Sequence, residues 1–426
     1  MPVPRLLAGL VAAVIVVAGL SPVGAGAPSR AGQWPTPNLT DVPGTIKGAF
    51  SARSYAPGDE AVLRIFGESK GLSVQLFRVG LEHSRPHRDD LLAGTPVSAR
   101  RLVASSGRGM LRIRVDMGDW PSGFYFARLS RRTGDLGFAS FVLRPRKLGS
   151  SRVLVVLPTH TWQAYNFRDV DGDGVGDTWY ASPDVHTVDL SRPYLRRGVP
   201  PHFRGYDRGF IRWVAQTRKA ADFIANDDLD ARVKGDALAR MYDLIVFAGH
   251  DEYTTPHAYD AIVRYRDLGG NLAFLAANKF HYRVTRSGDL LHGRTPWHEL
   301  GRPAAKLSGS DYVGSWKRTY QNRPYVVTGV RRAPWLYAGT GLENGDSFGR
   351  FGIEVDQTSA RSPRGTMVLA RIANIFGPGK SAEMTYYETP RGAKVFAAGV
   401  MNFGGSVAWE PMATMLENIW RRLSVP

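Results

Sequence analysis

An imidazole, two carboxylates and a phenol follow one another in His250-Asp251-Glu252-Tyr253, directly after the apolar run Leu244 to Phe247. So short and apolar a run reads as a strand buried on both faces of a parallel sheet, and ligands in open α/β sheets gather where such strands end. Three further strand-like runs lead into polar and aromatic tips in the same way. Val153 to Leu157 runs into Thr159-His160-Thr161-Trp162-Gln163-Ala164-Tyr165-Asn166, and Leu272 to Ala276 into Asn278-Lys279-Phe280-His281-Tyr282-Arg283. Lys394 to Ala398 runs into Met401-Asn402-Phe403-Gly404-Gly405. Taken singly, each tip is equally well read as aromatic packing or as a hydrogen-bonded histidine; one shared crevice accounts for all four together. In such a crevice Asn278, Arg283 and Trp162 are candidates for substrate contact.

A second group of acids lies in Asp169-Val170-Asp171-Gly172-Asp173-Gly174-Val175-Gly176-Asp177. Carboxylates at positions 1, 3, 5 and 9, glycine at 6 and a backbone carbonyl at 7, here from Val175, are the ligand rhythm of a calcium loop. Over these nine residues the chain resembles the loops of thrombospondin type 3 and dockerin modules. Position 12 is Tyr180 and not glutamate, so a complete EF-hand is not expected. The alternative is a solvated acidic turn.

The elements that must position these groups change character along the chain. Arg5, an apolar segment from Leu6 to Leu20 and the triplet Ala25-Gly26-Ala27 have the order of a secretory signal covering residues 1–27, with cleavage near Ala27. Residues 28–43 read as a Pro/Gly/Ser-rich linker. Residues 44–148 hold short alternating runs, among them Ala61 to Phe66, Met110 to Val115, Phe124 to Leu129 and Phe138 to Leu143. The segments Ala56-Pro57-Gly58-Asp59 and Trp120-Pro121-Ser122-Gly123 read as turns between them. That spacing predicts an antiparallel sandwich of immunoglobulin-like type. Residues 150–426 alternate strands and helices, an α/β pattern with a mainly parallel sheet. Thr255-Pro256 starts a helix that Gly269-Gly270 stops, so the runs on either side form a βαβ unit. Gly209 to Ile224 and Pro411 to Leu423 are further predicted helices, and Leu291 to Asn344 is expected to be irregular.

The composition excludes several classes. There is no cysteine, hence no disulfide, thiolate metal site or cysteine nucleophile. No HExxH pair is present. The formal net charge is +17, but the basic residues are scattered and form no nucleic-acid motif, so a generally basic exported surface is expected. No run after the signal is long and apolar enough to span a bilayer. Contact with acidic cell-wall polymers and assembly into a homo-oligomer stay open.

Trp120-Pro121-Ser122-Gly123-Phe124-Tyr125, Thr161-Trp162-Gln163-Ala164-Tyr165-Asn166, Gly249-His250-Asp251-Glu252-Tyr253, Gly269-Gly270-Asn271-Leu272 and Asn278-Lys279-Phe280-His281-Tyr282-Arg283-Val284 together resemble the N,N-dimethylformamidase large (beta) subunit and its relatives. The resemblance implies a glutamine amidotransferase-like α/β domain. It also implies a ferric ion held by two tyrosinates and a glutamate, hydrolysing a small amide. Residue by residue it places the glutamate on Glu252 and the tyrosines on Tyr165 and Tyr125. The histidine that supports the metal ligands or handles protons falls on His250 and a further acid on Glu388. The donor types agree with this, since phenolate and carboxylate oxygens are hard ligands that suit a trivalent ion, and open positions on such an ion can polarise an amide carbonyl. The expected protein is therefore a secreted iron-dependent amide hydrolase carrying Ca2+ on Asp169, Asp171, Asp173, Val175 and Asp177. The rival reading is a non-catalytic extracellular wall or polysaccharide binder that keeps the calcium loop.

Overall fold

The computed structural model describes residues 40–425 apart from 84–85, 105–106, 108 and 316–319, and these pack as one compact unit. The expected signal segment and most of the expected linker lie outside the described residues. Strand Glu60–Phe66 buries Ala61, Leu63 and Ile65 and turns the residues between them outward, the period of two that the sequence carries. It pairs antiparallel with Lys47–Phe50 and Met110–Asp116 to make a three-stranded sheet. A second sheet is centred on Gly123–Ser130, flanked antiparallel by Ser73–Arg78 and Leu136–Leu143. The turn Ala56-Pro57-Gly58-Asp59 forms as expected: Gly58 has φ +85° and the Ala56 amide donates to the Asp59 carboxylate at 2.7 Å.

Gly123–Ser130 is buried on both faces, and its alternation sorts its side chains between two cores. Tyr125, Ala127 and Leu129 face Leu63, Ile65 and Phe141 between the two amino-terminal sheets. Phe124 and Phe126 face the other way, into a core that includes Val155, Phe203 and Phe210. The first 100 or so described residues are thus joined to the remainder by continuous apolar packing, the non-directional contribution that dominates folding.

The remainder is built on a nine-stranded sheet. Five parallel strands come first, in the order Asp222–Ala225, Val153–Leu157, Leu244–Phe247, Asn271–Phe274 and Lys394–Ala397. Four antiparallel strands, Ala382–Glu388, Met367–Ile372, Arg323–Val327 and Ser347–Phe351, continue it. From Val153–Leu157 the chain first adds a strand on one side and then Leu244–Phe247 on the other. Their carboxyl ends therefore form a topological switch point, where such sheets place ligands. Helix Pro256–Asp267 links Leu244–Phe247 to Asn271–Phe274, with Thr255 Oγ1 accepting from the Ala258 amide at 3.3 Å. Among the described residues no helix is long and apolar enough to cross a membrane.

Two expectations need correction. The helix expected over Gly209 to Ile224 runs only from Arg208 to Gln216, and Asp222–Ala225 is the first parallel strand of the sheet. Its four residues are all buried, so tertiary context overrides the helical reading. Leu291 to Asn344 is not irregular: Leu290–Pro296 pairs with Tyr282–Ser287, Asp311–Ser315 with Glu354–Gln357, and Arg323–Val327 joins the large sheet.

Candidate active site

Glu252 leaves the sheet through Ala248-Gly249-His250-Asp251, and each step of that path is fixed. A Cβ on Gly249 would lie 1.8 Å from Asp207 Oδ1, so only glycine fits there. Asp207 is held from behind by Trp162, whose Nε1 donates to Oδ2 at 3.2 Å. The Asp251 carboxylate accepts from Asn226 Nδ2 at 3.1 and 3.2 Å, and burial pushes it up to about 7. The Glu252 amide donates to Thr161 Oγ1 at 3.0 Å, and the Glu252 carbonyl accepts from the His281 and Tyr282 amides, both at 3.0 Å. The Glu252 side chain is thereby aimed from a rigid backbone at the switch point.

Around that carboxylate the structure gathers phenols. The hydroxyl of Tyr165, which follows the short helix Thr159–Ala164, donates to Glu252 Oε2 at 2.9 Å. Tyr180 bonds both partners, 3.0 Å from the Tyr165 hydroxyl and 3.1 Å from Glu252 Oε2, and its hydroxyl also contacts that of Tyr253. Arg294 lies over the rings of Tyr180 and Tyr282, with its guanidinium 5.2 and 5.1 Å from their centres. A second carboxylate, Glu354, is tied to the first by Asn278, whose Nδ2 donates to Glu252 Oε1 at 3.2 Å and Glu354 Oε2 at 2.8 Å. Asn278 holds a left-handed backbone, φ +51°, because its amide donates to Asp356 Oδ1 at 2.8 Å, and Asp356 is paired with the buried Lys279 ammonium.

The electrostatics of this cluster are unbalanced. Burial pushes both glutamates well above the usual carboxylate range, and for Glu354 the charge of Glu252 adds to the rise. Burial, followed by Glu252, also raises Tyr165 and Tyr180 far above an ordinary phenol. His250 Nε2 lies 3.5 Å from Glu252 Oε2 and 3.8 Å from Glu354 Oε2, yet the ring stays neutral: burial, then His202 and His281, bring it down to about 3. Burial therefore outweighs the two nearby acids. That Nε2 and Asn278 Oδ1 are buried without a hydrogen-bond partner. Orphaned buried acceptors beside like-charged acids are costly unless something cationic shares them. Carboxylate and phenol oxygens are the donors a hard trivalent cation takes, so these residues fit the ferric ion that the sequence resemblance implies. Tyr165, Tyr180, His250 and Glu354 open onto a cavity of about 470 Å3, also lined by His202 and Tyr206.

Four expected site residues lie elsewhere. Tyr125 belongs to the core between the amino-terminal sheets. Its ring stacks on Trp120 and Phe141, and its hydroxyl donates to the Pro121 carbonyl at 2.6 Å. It faces away from the α/β part because Phe124 and Phe126 face toward it. Glu388 pairs in register with Lys394, the first residue of a parallel strand, so it lies at the amino-terminal edge, opposite the switch point. There it contacts the Tyr386 hydroxyl and Arg422. Trp162 is buried against Phe124 and Phe203 and acts on Asp207 without lining the cavity. Arg283 is in strand register with Thr254 and Thr295, outside the cavity lining.

Sequence reasoning missed Tyr180, Glu354, His202 and Tyr206. Tyr180 carried a signal: it occupies position 12 of the acidic loop, which returns the chain beside Tyr165. In that loop the oxygens of Asp169, Asp171 and Asp173 approach within 4.8 Å of one another. Their charge is met mainly by the loop's own amides: Asp169 accepts from Gly172 at 2.7 Å and Gly174 at 2.9 Å, and Asp173 from Val175 at 2.7 Å. Asp177 accepts from the Val170 amide at 2.9 Å.

Comparison with known proteins bears on the family of the chain. A family model described as N,N-dimethylformamidase beta subunit-like, C-terminal, matches residues 110–415. The N,N-dimethylformamidase beta subunit of Paracoccus aminophilus is 22% identical over 391 residues, covering 68% of this chain and 50% of that protein. The chain therefore spans about half the length of the curated relative it matches. Among solved structures, a superoxide reductase from Ignicoccus hospitalis overlaps with TM-score 0.16 at 12% identity, covering 24% of this chain and 82% of that one. A cycloisomaltooligosaccharide glucanotransferase from Paenibacillus sp. overlaps with TM-score 0.16 at 14% identity, covering 30% and 18%. Overlaps so slight carry no argument about fold or function. The match over residues 110–415 shows that the chain belongs to the N,N-dimethylformamidase beta subunit-like C-terminal family.

Proposed function

We propose that this chain is an exported iron-dependent hydrolase of carbon–nitrogen amide bonds, with its amino-terminal sheets serving as an immunoglobulin-like sandwich and the rest as a glutamine amidotransferase-like domain. The observation that carries this reading is the contact of Tyr165, Tyr180 and Glu252, with Glu354 bridged to them by Asn278, at the switch point of the sheet. Tyr165, Glu252 and one further phenol hold the ion. Tyr180 is bonded to both of the others, whereas Tyr206 lines the same cavity and has Glu354 as its foremost charged neighbour. When bound, a ferric ion supplies Lewis acidity toward an amide carbonyl.

The protein groups do the rest. The unpartnered His250 Nε2 accepts a proton from the water that adds to the carbonyl carbon. As the C–N bond breaks, the proton that the leaving nitrogen needs comes from Glu354, the role the sequence had given to Glu388. His250 then returns its proton to Glu354, and the products are the carboxylic acid and the amine. Asn278 Nδ2 fixes the spacing of the two carboxylates throughout.

The test is iron content by elemental analysis alongside amine release from N,N-dimethylformamide and larger amides. Glu252→Ala and Tyr165→Phe should each lower iron from about one per chain to below about a tenth, with the circular dichroism spectrum kept. Of Tyr180→Phe and Tyr206→Phe, the one that also strips iron identifies the third donor. Full iron in the Glu252 and Tyr165 variants would overturn the assignment. Calcium on Asp169, Asp171, Asp173, the Val175 carbonyl and Asp177 is the second part of the proposal. Iron-free protein that binds calcium and polysaccharide would favour the rival extracellular binder. Export is tested by finding a mature amino terminus near residue 28 in the culture medium.

A further inference from the structure

The cavity is large for the smallest amides. N,N-dimethylformamide fills on the order of 100 Å3, about three water volumes, whereas the cavity measures about 470 Å3. Its wall is mainly apolar, with Phe167, Leu195, Val199, Pro201, Ile353 and Met401. Two charged side chains from outside the cluster reach it, Asp89 and Arg196. Asp89 is already matched by Arg204 at 2.9 Å. The exposed Arg196 side chain makes no hydrogen bond or ion pair among the described residues.

The backbone that presents Arg196 is firmly held. Arg196 and Arg197 both adopt left-handed φ, 55° and 66°, a conformation that non-glycine residues keep only when their surroundings impose it. Arg197 Nε donates to Asp90 Oδ2 at 3.1 Å, and Arg88 grips the same carboxylate at 2.8 and 2.6 Å. Gly198, at φ +85°, lies against the Phe138 carbonyl, where a Cβ would come within 1.9 Å. One arginine of the pair is thus an anchor, and its neighbour Arg196 is an exposed residue of the cavity wall.

We propose that the substrate is an amide with an apolar acyl or alkyl part of several carbons and a carboxylate, the chemistry of an N-acylated amino acid, and that Arg196 binds the carboxylate as a bidentate partner. This rests on the amide-hydrolase reading and adds to it the substrate's size and charge. N-hexanoylglycine, its methyl ester and N,N-dimethylformamide are the probes for the iron-loaded chain. The expected kcat/KM for the acid exceeds that of its ester by about tenfold or more. Arg196→Asn, which tolerates left-handed φ, should erase that preference by raising KM for the acid with kcat retained, and Arg196→Lys should restore part of it. Equal use of acid and ester by the wild type, or a preference that survives Arg196→Asn, would overturn the proposal. Calorimetric titration with N-hexanoylglycine separates the two readings. Binding that Arg196→Asn weakens about tenfold supports the carboxylate site even where no amide is cleaved, an outcome that would sink the hydrolase instead. No binding by the wild type overturns the site.

Discussion

Two acidic regions of this molecule handle their charge in opposite ways. The loop from Asp169 to Asp177 is largely open to solvent, and its carboxylates accept the loop's own amides; those of Gly172 and Gly174 hold Asp169 below the usual range. Glu252 and Glu354 are buried, share a single bridging amide, and lie beside two acceptors without partners. Asp227 shows what burial looks like when hydrogen-bonding partners are supplied. Burial alone would raise it, but His160 Nε2 at 2.7 Å and Arg53 at its other oxygen outweigh that and hold it well below an ordinary aspartate. The two regions thus differ in whether the protein's own groups meet the charge of their acids. The buried cluster keeps a surplus of oxygen donors that the nearby Arg294 guanidinium offsets only in part.

The largest effect expected from this contrast is on removing the metal. Stripping iron with a strong chelator should lower stability by about 4 kcal/mol at metal concentrations a thousandfold above Kd, read as a fall in Tm. Calcium removal should do far less, since the loop's amides remain. Weakening the balanced group comes next: Arg53→Ala should cost about 3 kcal/mol by leaving the Asp227 carboxylate with only His160 as partner, measured by urea unfolding. Because the folded pKa of Asp227 is depressed, its contribution is present above about pH 4, the unfolded value, and is lost as pH falls toward the lower folded one. The stability difference between wild type and Asp227→Asn should therefore shrink as the solution is acidified below pH 4, and a difference that grows there would contradict the assignment.

Smaller effects separate two buried phenols. Tyr125→Phe should cost about 1 kcal/mol for the lost bond to the Pro121 carbonyl and leave iron content untouched, unlike Tyr165→Phe. Asp171→Ala, at an exposed position, should change stability without calcium by less than about 0.5 kcal/mol.

The sequence made part of this legible. An apolar run ending in His250-Asp251-Glu252 marks a buried strand and its tip, and following the tips of neighbouring strands leads to Tyr165 and Asn278. The second phenol was not legible through Phe124-Tyr125-Phe126, because a strand apolar on both faces does not reveal which face meets which core. Glu388 misled for a related reason. It ends an antiparallel strand, so its carboxyl end points to the opposite edge from those of the parallel strands, and strand direction is a tertiary fact. Glu354 gave no local sign. It reaches the site only through the pairing of Glu354–Gln357 with Asp311–Ser315, inside a stretch whose turns and aromatics obscure its strands.

The most direct test of a single ion shared by Tyr165, Glu252 and a further phenol is the visible absorption spectrum of the purified chain, taken with its iron content. The expected result is about one iron per chain and a phenolate-to-iron charge-transfer band that disappears in Tyr165→Phe. A colourless protein that takes up no ferric ion on reconstitution would contradict it.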